Sequence, residues 1–255
     1  MIYDCFLYNG EQKMLELRLN ELNEYVDYFV ITESEFTFKG DKKEIKFTEH
    51  KDIFEKFKDK IFFLKHSNIP SENAWENERN QREYFITFFE KVDLNKEDII
   101  LLSDVDEIPD TAILQKIKNN FNSIGVFCQN FYYYNISCRN KSKWFGTIAV
   151  NVSFFLSALE FNFEKLRSTR SFLPRLSDPN DYTSGGWHFS YFGDINYIIS
   201  KIESFSHQEF NNELYKNPET IKKLIEEGKD LFFRDSETFE KVEEKYLPKH
   251  IQIIL

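Results

Sequence analysis

Three carboxylates fall within four positions at the end of an apolar run, in Ile99-Ile100-Leu101-Leu102-Ser103-Asp104-Val105-Asp106-Glu107-Ile108-Pro109. The run is too short for a stable helix and suits a strand buried on both faces. Carboxylates at the end of such a strand stand at the rim of a sheet, where α/β proteins bind ligands. In extended chain Asp104 and Asp106 point the same way while Val105 turns inward. Two carboxylates aimed at one point repel unless a cation sits between them. Mg²⁺ or Mn²⁺ carrying a nucleotide diphosphate suits hard oxygen ligands of this kind. The competing reading is a solvated acidic turn in which Asp106 or Asp110 caps a helix from Thr111. The buried strand directly before the motif weighs toward function.

Three other clusters carry chemistry. Arg79 and Arg82 lie three apart, with Trp75, Glu76 and Gln81 nearby, so on a helix their guanidinium groups share a face. They read as a clamp on phosphate or on the acidic motif, or as surface charges neutralised by Glu78 and Glu83. In Gly185-Gly186-Trp187-His188-Phe189-Ser190-Tyr191-Phe192-Gly193, two glycines permit positive φ or close backbone approach. Trp187 can stack on a sugar face, and His188 can ligate metal or bind phosphate. A buried aromatic strand with a core histidine is the other reading. His207 sits near the end of a helix, where a cation is favourable. His50, His66 and His250 have no supporting neighbours and receive no role.

The elements that position these residues show as strand–helix alternation. Residues 2–8 read as a strand ended by Asn9-Gly10, and 11–25 as a helix with Leu15, Leu19, Leu22 and Val26 on one face. Residues 28–32 form a second strand ending at Glu33. Residues 34–48 read as a polar loop with a short strand near 45–47, and 52–58 as a short helix with Ile53, Phe54 and Phe57 inward. A third strand at 61–64 and a long helix at 72–92 follow, then a strand at 98–102, a helix at 111–121 and an aromatic strand at 125–134. This is the pattern of a mostly parallel sheet with helices on both faces. Residues 136–190 hold few clear helices, and helices return near 194–205, 218–227 and 236–245.

The chain has 255 residues, enough for an ample core. No repeat or low-complexity linker divides it, so one domain is expected. Its net charge of −10 gives no electrostatic support to nucleic-acid binding. Cys5, Cys128 and Cys138 are odd in number and lack C-x-x-C spacing, which fits a reducing cytosol rather than a disulfide framework or zinc site. No stretch approaches the length of a membrane span, and the first residues read as a strand, not a signal peptide.

The order of the pieces is specific. MIYDCFLYNGE and LELRLNEL are followed by VDYFVITES, TFKG, AWENERNQR, DIILLSDVDEIP, GGWHFSYFG and SFSHQEFN. In that order, over residues 1–213, they resemble the β-1,4-mannosyl-glycoprotein β-1,4-N-acetylglucosaminyltransferase family (glycosyltransferase family 17), the group containing the bisecting GlcNAc transferase of animals. The resemblance implies an α/β GT-A fold, Rossmann-like, in a single catalytic domain over 1–255. Residues 1–135 would be the nucleotide-sugar-binding half and 136–255 the acceptor-side and C-terminal portion. It implies inverting transfer from a UDP-sugar, UDP-GlcNAc being the family's donor, to a glycan or glycolipid acceptor. By this mapping Asp104 and Asp106 hold Mn²⁺ or Mg²⁺ on the diphosphate, and Glu33 contacts uracil or ribose. Arg79 and Arg82 lie near the nucleotide or brace the acidic motif. His188 or His207 supplies a late metal or phosphate contact, His207 being the metal candidate, and Trp144, Trp187 and His188 frame the acceptor. An inverting transfer needs a general base, and Glu107 is favoured over Asp178, Asp181 and Glu209. The animal members are anchored Golgi proteins. Without such an anchor in this sequence, a cytoplasmic enzyme of microbial or viral type is expected, with any membrane contact peripheral. The acceptor is then a lipid-linked or surface glycan.

Two other classes share parts of this pattern. Haloacid-dehalogenase-like phosphohydrolases also place Asp-x-Asp after a strand, although usually after the first. A non-catalytic carbohydrate-binding module would use the aromatic residues and leave the acidic motif idle.

Overall fold

In the computed structural model, which describes residues 1–50, 54–119 and 121–255, the apolar runs form the centre of a mixed sheet. Strands β1 (Ile2–Leu7), β2 (Tyr28–Ser34), β3 (Ile61–His66) and β4 (Ile99–Asp104) pair in parallel in the order β3-β2-β1-β4. Alternation divides their side chains between two faces. Ile2, Phe6, Phe29, Ile31 and Leu101 pack beneath helix α1 (Gln12–Leu22) against Leu15, Leu19 and Leu22. Tyr3, Cys5, Val30, Ile100 and Leu102 pack on the other face against phenylalanines that include Phe85, Phe88, Phe155 and Phe163. Central strands covered on both sides need apolar residues at every position, which is why the run before the acidic motif does not alternate.

The rest of the sheet is largely antiparallel. β8 (Trp144–Asn151) pairs with β4, β6 (Ile124–Tyr133) with β8, β7 (Asn135–Asn140) with β6, and β10 (Phe239–Lys241) with β7. β9 (Gly186–Ser190) runs parallel to β6 and antiparallel to the three-residue β5 (Glu107–Pro109), so a late segment closes over the acidic turn. The expected α/β class is present and compatible with a GT-A arrangement; its parallel half ends at β4.

Several boundaries differ from the sequence reading. The long helix at 72–92 is two: α2 (Ala74–Glu83), capped by the Asn73 side chain, and α3 (Ile86–Phe89). Between them Phe85 N–H donates to the Arg82 carbonyl three residues back, a tightened turn that ends α2. Helix α4 (Thr111–Ile117) is shorter than expected, with residue 120 outside the described residues, and Asp110 is its cap. Of the helix read at 52–58, Asp52 and Ile53 lie outside the described residues, and Glu55–Phe57 is a 3-10 turn. No strand forms at 45–47; the pairing in that loop joins Phe36 to Lys42. The segment 136–190 contains, besides its strands, α5 (Val152–Leu159) and α6 (Phe163–Ser168). Helices α7 (Ile195–Ser204), α8 (Glu213–Lys216) and α9 (Pro218–Glu227) follow, and the last expected helix is replaced by β10. Among the described residues no helix is long and apolar enough to cross a membrane.

One charged side chain interrupts the apolar face of α1. Arg18, fully buried, grips the Asp4 carboxylate of β1 with Nε at 2.8 Å and Nη2 at 2.6 Å. Its Nη1 donates to the carbonyls of Glu107 (2.8 Å) and Asp104 (3.2 Å), and Nη2 to Ser103 Oγ (2.6 Å). Arg18 thereby ties the acidic turn to the helix that covers the sheet. Removing one partner of a buried ion pair costs about 3–5 kcal/mol. Arg18→Met should lower the unfolding free energy in urea by roughly that amount. Adding Asp4→Leu should return part of the loss, because no carboxylate is then buried alone. A single variant within about 0.5 kcal/mol of wild type would remove Arg18 from this role.

Candidate active site

Asp104 ends β4 and Asp106 sits in the turn before β5; both line a cavity of about 490 Å³. Its size is that of a small-molecule site. The two carboxylates face different partners. Asp104 Oδ2 accepts from Arg167 Nη2 at 2.7 Å, and its Oδ1 is 3.7 Å from Arg82 Nη2. Asp106 Oδ2 accepts from Lys201 Nζ at 3.0 Å, and its Oδ1 is 3.6 Å from His188 Nδ1. Burial is the largest influence on the Lys201 ammonium and would lower it, but Asp106 with Tyr197, Tyr191 and Glu11 together outweigh burial and hold it well above its usual value.

Glu107, the expected base, does not reach the cleft. It is fully buried and turned beneath the motif. Oε1 accepts from Trp144 Nε1 at 2.6 Å and Arg167 Nη2 at 2.8 Å; Oε2 accepts from Arg167 Nη1 and from the Asp104 backbone N–H, each at 2.9 Å. Burial alone would raise this carboxyl, but the Arg167 guanidinium outweighs it and holds it at about 2. A carboxylate so committed is a poor proton acceptor, and Glu107 instead orients Arg167, Trp144 and the Asp104 backbone.

The Gly185–Gly193 segment does fold back onto the acidic turn. Phe189 N–H donates to the Asp106 carbonyl at 2.9 Å, and His188 stands opposite Glu107 in the β5–β9 register. Gly186 permits this approach: at φ +98° a Cβ there would lie 2.3 Å from the Ile108 carbonyl oxygen. Alternation then separates the two ring residues. His188 lines the cavity, with a buried Nδ1 that has no hydrogen-bond partner. Burial lowers its pKa against the pull of Asp106. Trp187 points to the opposite face, into the core, with Nε1 donating to the Tyr246 carbonyl at 2.8 Å and its ring stacked on Tyr246. The expectation that Trp187 frames the acceptor is corrected: one residue of strand turns it away.

Trp144 lines the cavity, but its faces are taken by His188 at 4.6 Å and Arg170 at 4.8 Å. The aromatic ring left exposed on the wall is Trp75, against which His207 packs edge-on at 4.5 Å while sharing a hydrogen bond with Glu209 at 2.7 Å. Arg79 lines the cavity and Arg82 braces its floor, bonded to Glu78 at 2.6 Å and Glu164 at 3.3 Å. Glu33 is fully buried, not on the cavity wall; its oxygens accept from Lys43 Nζ and from the backbone N–H groups of Lys46 and Phe47. Among the described residues no group of three or more His, Cys, Asp or Glu is disposed to hold a metal ion.

Sequence reasoning missed Arg167, Arg170 and Lys201. The Arg167-Ser168-Thr169-Arg170 spacing repeats that of Arg79 and Arg82, a signal that was available.

An α/β sheet with a carboxylate-floored, cation-walled cleft at the end of a parallel strand defines a class of ligand-binding enzyme folds. The glycosyltransferase family 17 model matches residues 1–248, and the chain belongs to that family. It is similar to the beta-1,4-mannosyl-glycoprotein 4-beta-N-acetylglucosaminyltransferases of Homo sapiens and Rattus norvegicus, each 30% identical over 112 residues. That stretch is 40% of this chain and 20% of each relative, so the chain matches a small part of those longer proteins. Membership of a glycosyltransferase family displaces the phosphohydrolase and binding-module alternatives.

Glu107 makes a pH test of the network possible. A carboxyl held below its unfolded value, about 4.3, contributes stability that is fully present above that pH and is lost as pH falls toward the folded value of about 2. Glu107→Gln should therefore destabilise the protein at pH 7 by about 3–5 kcal/mol. The gap from wild type should narrow in urea unfolding as pH drops from about 4 to 2. A gap that stays constant over that range would mean that the carboxylate charge is not what the network uses.

Proposed function

We propose that this chain transfers N-acetylglucosamine from UDP-GlcNAc to a hydroxyl of a glycan or glycolipid acceptor with inversion, Asp104 and Asp106 holding Mn²⁺ or Mg²⁺ on the donor diphosphate. The acidic turn carries the reading: two carboxylates at a parallel-strand end, on the floor of a cleft walled by cations and rings. Family membership and the N-acetylglucosaminyltransferase activity named for the two relatives support the sugar. The donor set suits such an ion. Mg²⁺ sites of this type use one or two carboxylates and complete the shell with water and substrate phosphate. The unpartnered His188 Nδ1 faces Asp106 as a further donor atom. When bound, the ion supplies Lewis-acid neutralisation of charge on the departing diphosphate.

Transfer also requires a group to take the acceptor proton. Glu78 and Glu164 are spent on Arg82, and Glu237 accepts from Asn140 Nδ2 at 2.6 Å. Glu11, also on the cavity wall, bonds only the Asn9 backbone N–H, at 2.8 Å, among the described residues. Burial raises its carboxyl above the usual range, against the pull of Lys201. A carboxylate whose pKa is raised is the stronger base while it is ionised, and Glu11 is assigned the base. Trp75 and His207, at the cavity wall, are assigned to the acceptor sugar.

UDP release should be fastest from UDP-GlcNAc in a panel with UDP-Gal, UDP-Glc and GDP-Man, and EDTA should abolish it. A preference for GDP-Man, or full turnover in EDTA, would overturn the donor or the metal respectively. Glu11→Gln should cut kcat by about 10²–10⁴-fold while leaving UDP affinity intact. Trp75→Ala should raise the acceptor KM with little change in UDP binding.

A further inference from the structure

The cations around the cleft divide by how their hydrogen bonds are spent. The Arg82 side chain is bonded to Glu78 and Glu164 and lies beside Asp104. Arg167 is bonded to Glu107, Asp104 and the Gly146 carbonyl. These two are braces, with their forks filled by protein. Arg170 is different. It lies one helical turn beyond Arg167, lines the same cavity, and its guanidinium rests on the Trp144 ring at 4.8 Å. Its nearest carboxylate, Glu107 Oε1, is 3.7 Å from Nη1, beyond hydrogen-bond range and already bonded to Trp144 and Arg167. No side-chain N–H of Arg170 is hydrogen-bonded among the described residues, although the side chain is 28% exposed. Arg79, one turn before Arg82 and lining the same cavity, also makes no hydrogen bond or ion pair among the described residues.

A guanidinium held flat on an indole ring keeps its fork oriented, so little rotamer freedom is lost when an anion arrives. Arg170 sits close to Arg167 and is partly desolvated. Burial, then the Arg167 charge, pushes its pKa down from the ordinary value, an unfavourable placement that an anion in the cavity relieves. The carboxylates of Asp104 and Asp106 cannot serve, since each is already paired.

We propose that Arg170, with Arg79 of the same cavity, forms the diphosphate subsite of the cleft, donating to phosphate oxygens that the aspartate-bound side of the donor leaves free. This rests on the reading of the cavity as a nucleotide-sugar site, and names the side chains that hold the leaving group. Bidentate guanidinium–phosphate contacts stabilise the diphosphate most as its charge grows, so the subsite would assist departure as well as binding.

Inorganic pyrophosphate, UDP and uridine, titrated by calorimetry into the whole chain with Mn²⁺, test it. Arg170→Ala should weaken pyrophosphate and UDP by about 10–100-fold, the loss of charge-assisted hydrogen bonds. Uridine affinity should hold, because uridine carries no phosphate. Arg170→Lys should recover only part, since a point charge lacks the fork. Arg79→Ala, at an exposed position away from the core, should weaken pyrophosphate in the same direction, which keeps the test open if the Arg170 variants fold poorly. Unchanged pyrophosphate affinity in both alanine variants, or equal losses of UDP and uridine, would overturn the subsite. A wild-type chain that binds pyrophosphate but discriminates poorly for uridine nucleotides would instead overturn the uridine donor and leave the subsite standing.

Discussion

The Arg18 fork is the constraint on which the site depends. A strand that must be apolar on both faces cannot carry an acidic turn at its tip without a donor for the turn's backbone. Arg18 supplies that donor from within the core, holding Asp4 of β1 with one edge and the carbonyls of Asp104 and Glu107 with another group. Buried charge of this kind is weak evidence for stability, because desolvation offsets most of the Coulomb gain. Its value here is positional. The sheet, the covering helix and the acidic turn are fixed to one planar group with little rotational freedom.

Above that anchor, Glu107 does for the side chains what Arg18 does for the backbone. It faces inward and gathers Arg167, Trp144 and the Asp104 N–H. Arg167 then presents one nitrogen to Asp104, and Trp144 carries His188 and Arg170 on its two faces. The motif's three carboxylates have therefore separated in role: one buried and saturated, two on the cleft. Such a division follows from electrostatics, since three uncompensated carboxylates at one point would repel.

The chain's legibility depended on whether a signal was local. The return of Gly186–Ser190 to the acidic turn is a pairing between segments distant in the chain, but the buried strand before Asp104 and the apolar face of α1 follow from short-range pattern. The positions of Glu107 and Trp187 did not. Both belong to strands whose direction of facing is set by the β5–β9 pairing, and a shift of one residue exchanges cleft for core. Arg18 was hidden for a different reason: an arginine inside an amphipathic helix ordinarily reads as a surface charge, and only its i+3 placement from Leu15 marks it as inward. Arg167 and Arg170 lie in the stretch where periodicity is weakest, Lys201 lies on the helix read at 194–205, and the partners of all three are distant in the chain, so no window of sequence contains the interaction.

The same non-locality explains how the aromatic residues are divided. The chain holds 28 phenylalanines and 13 tyrosines, and the rings that line the cleft are mostly buried or half-buried. Trp187 stacks in the core on Tyr246, and Trp144 is sandwiched by a histidine and an arginine. A ring whose two faces are occupied cannot offer either to a sugar, but it can hold a charged group in place at small entropic cost. Trp144 thus supports a cation, and Trp75, whose ring remains exposed at the wall, is the ring that the proposed function assigns to the acceptor sugar. Rigid charge on the floor and adaptable aromatic surface at the wall are what a transferase needs on its two sides. The leaving group's charge grows in a predictable place and rewards preorganised donors. The acceptor must be aligned and then released, which favours a contact of modest strength.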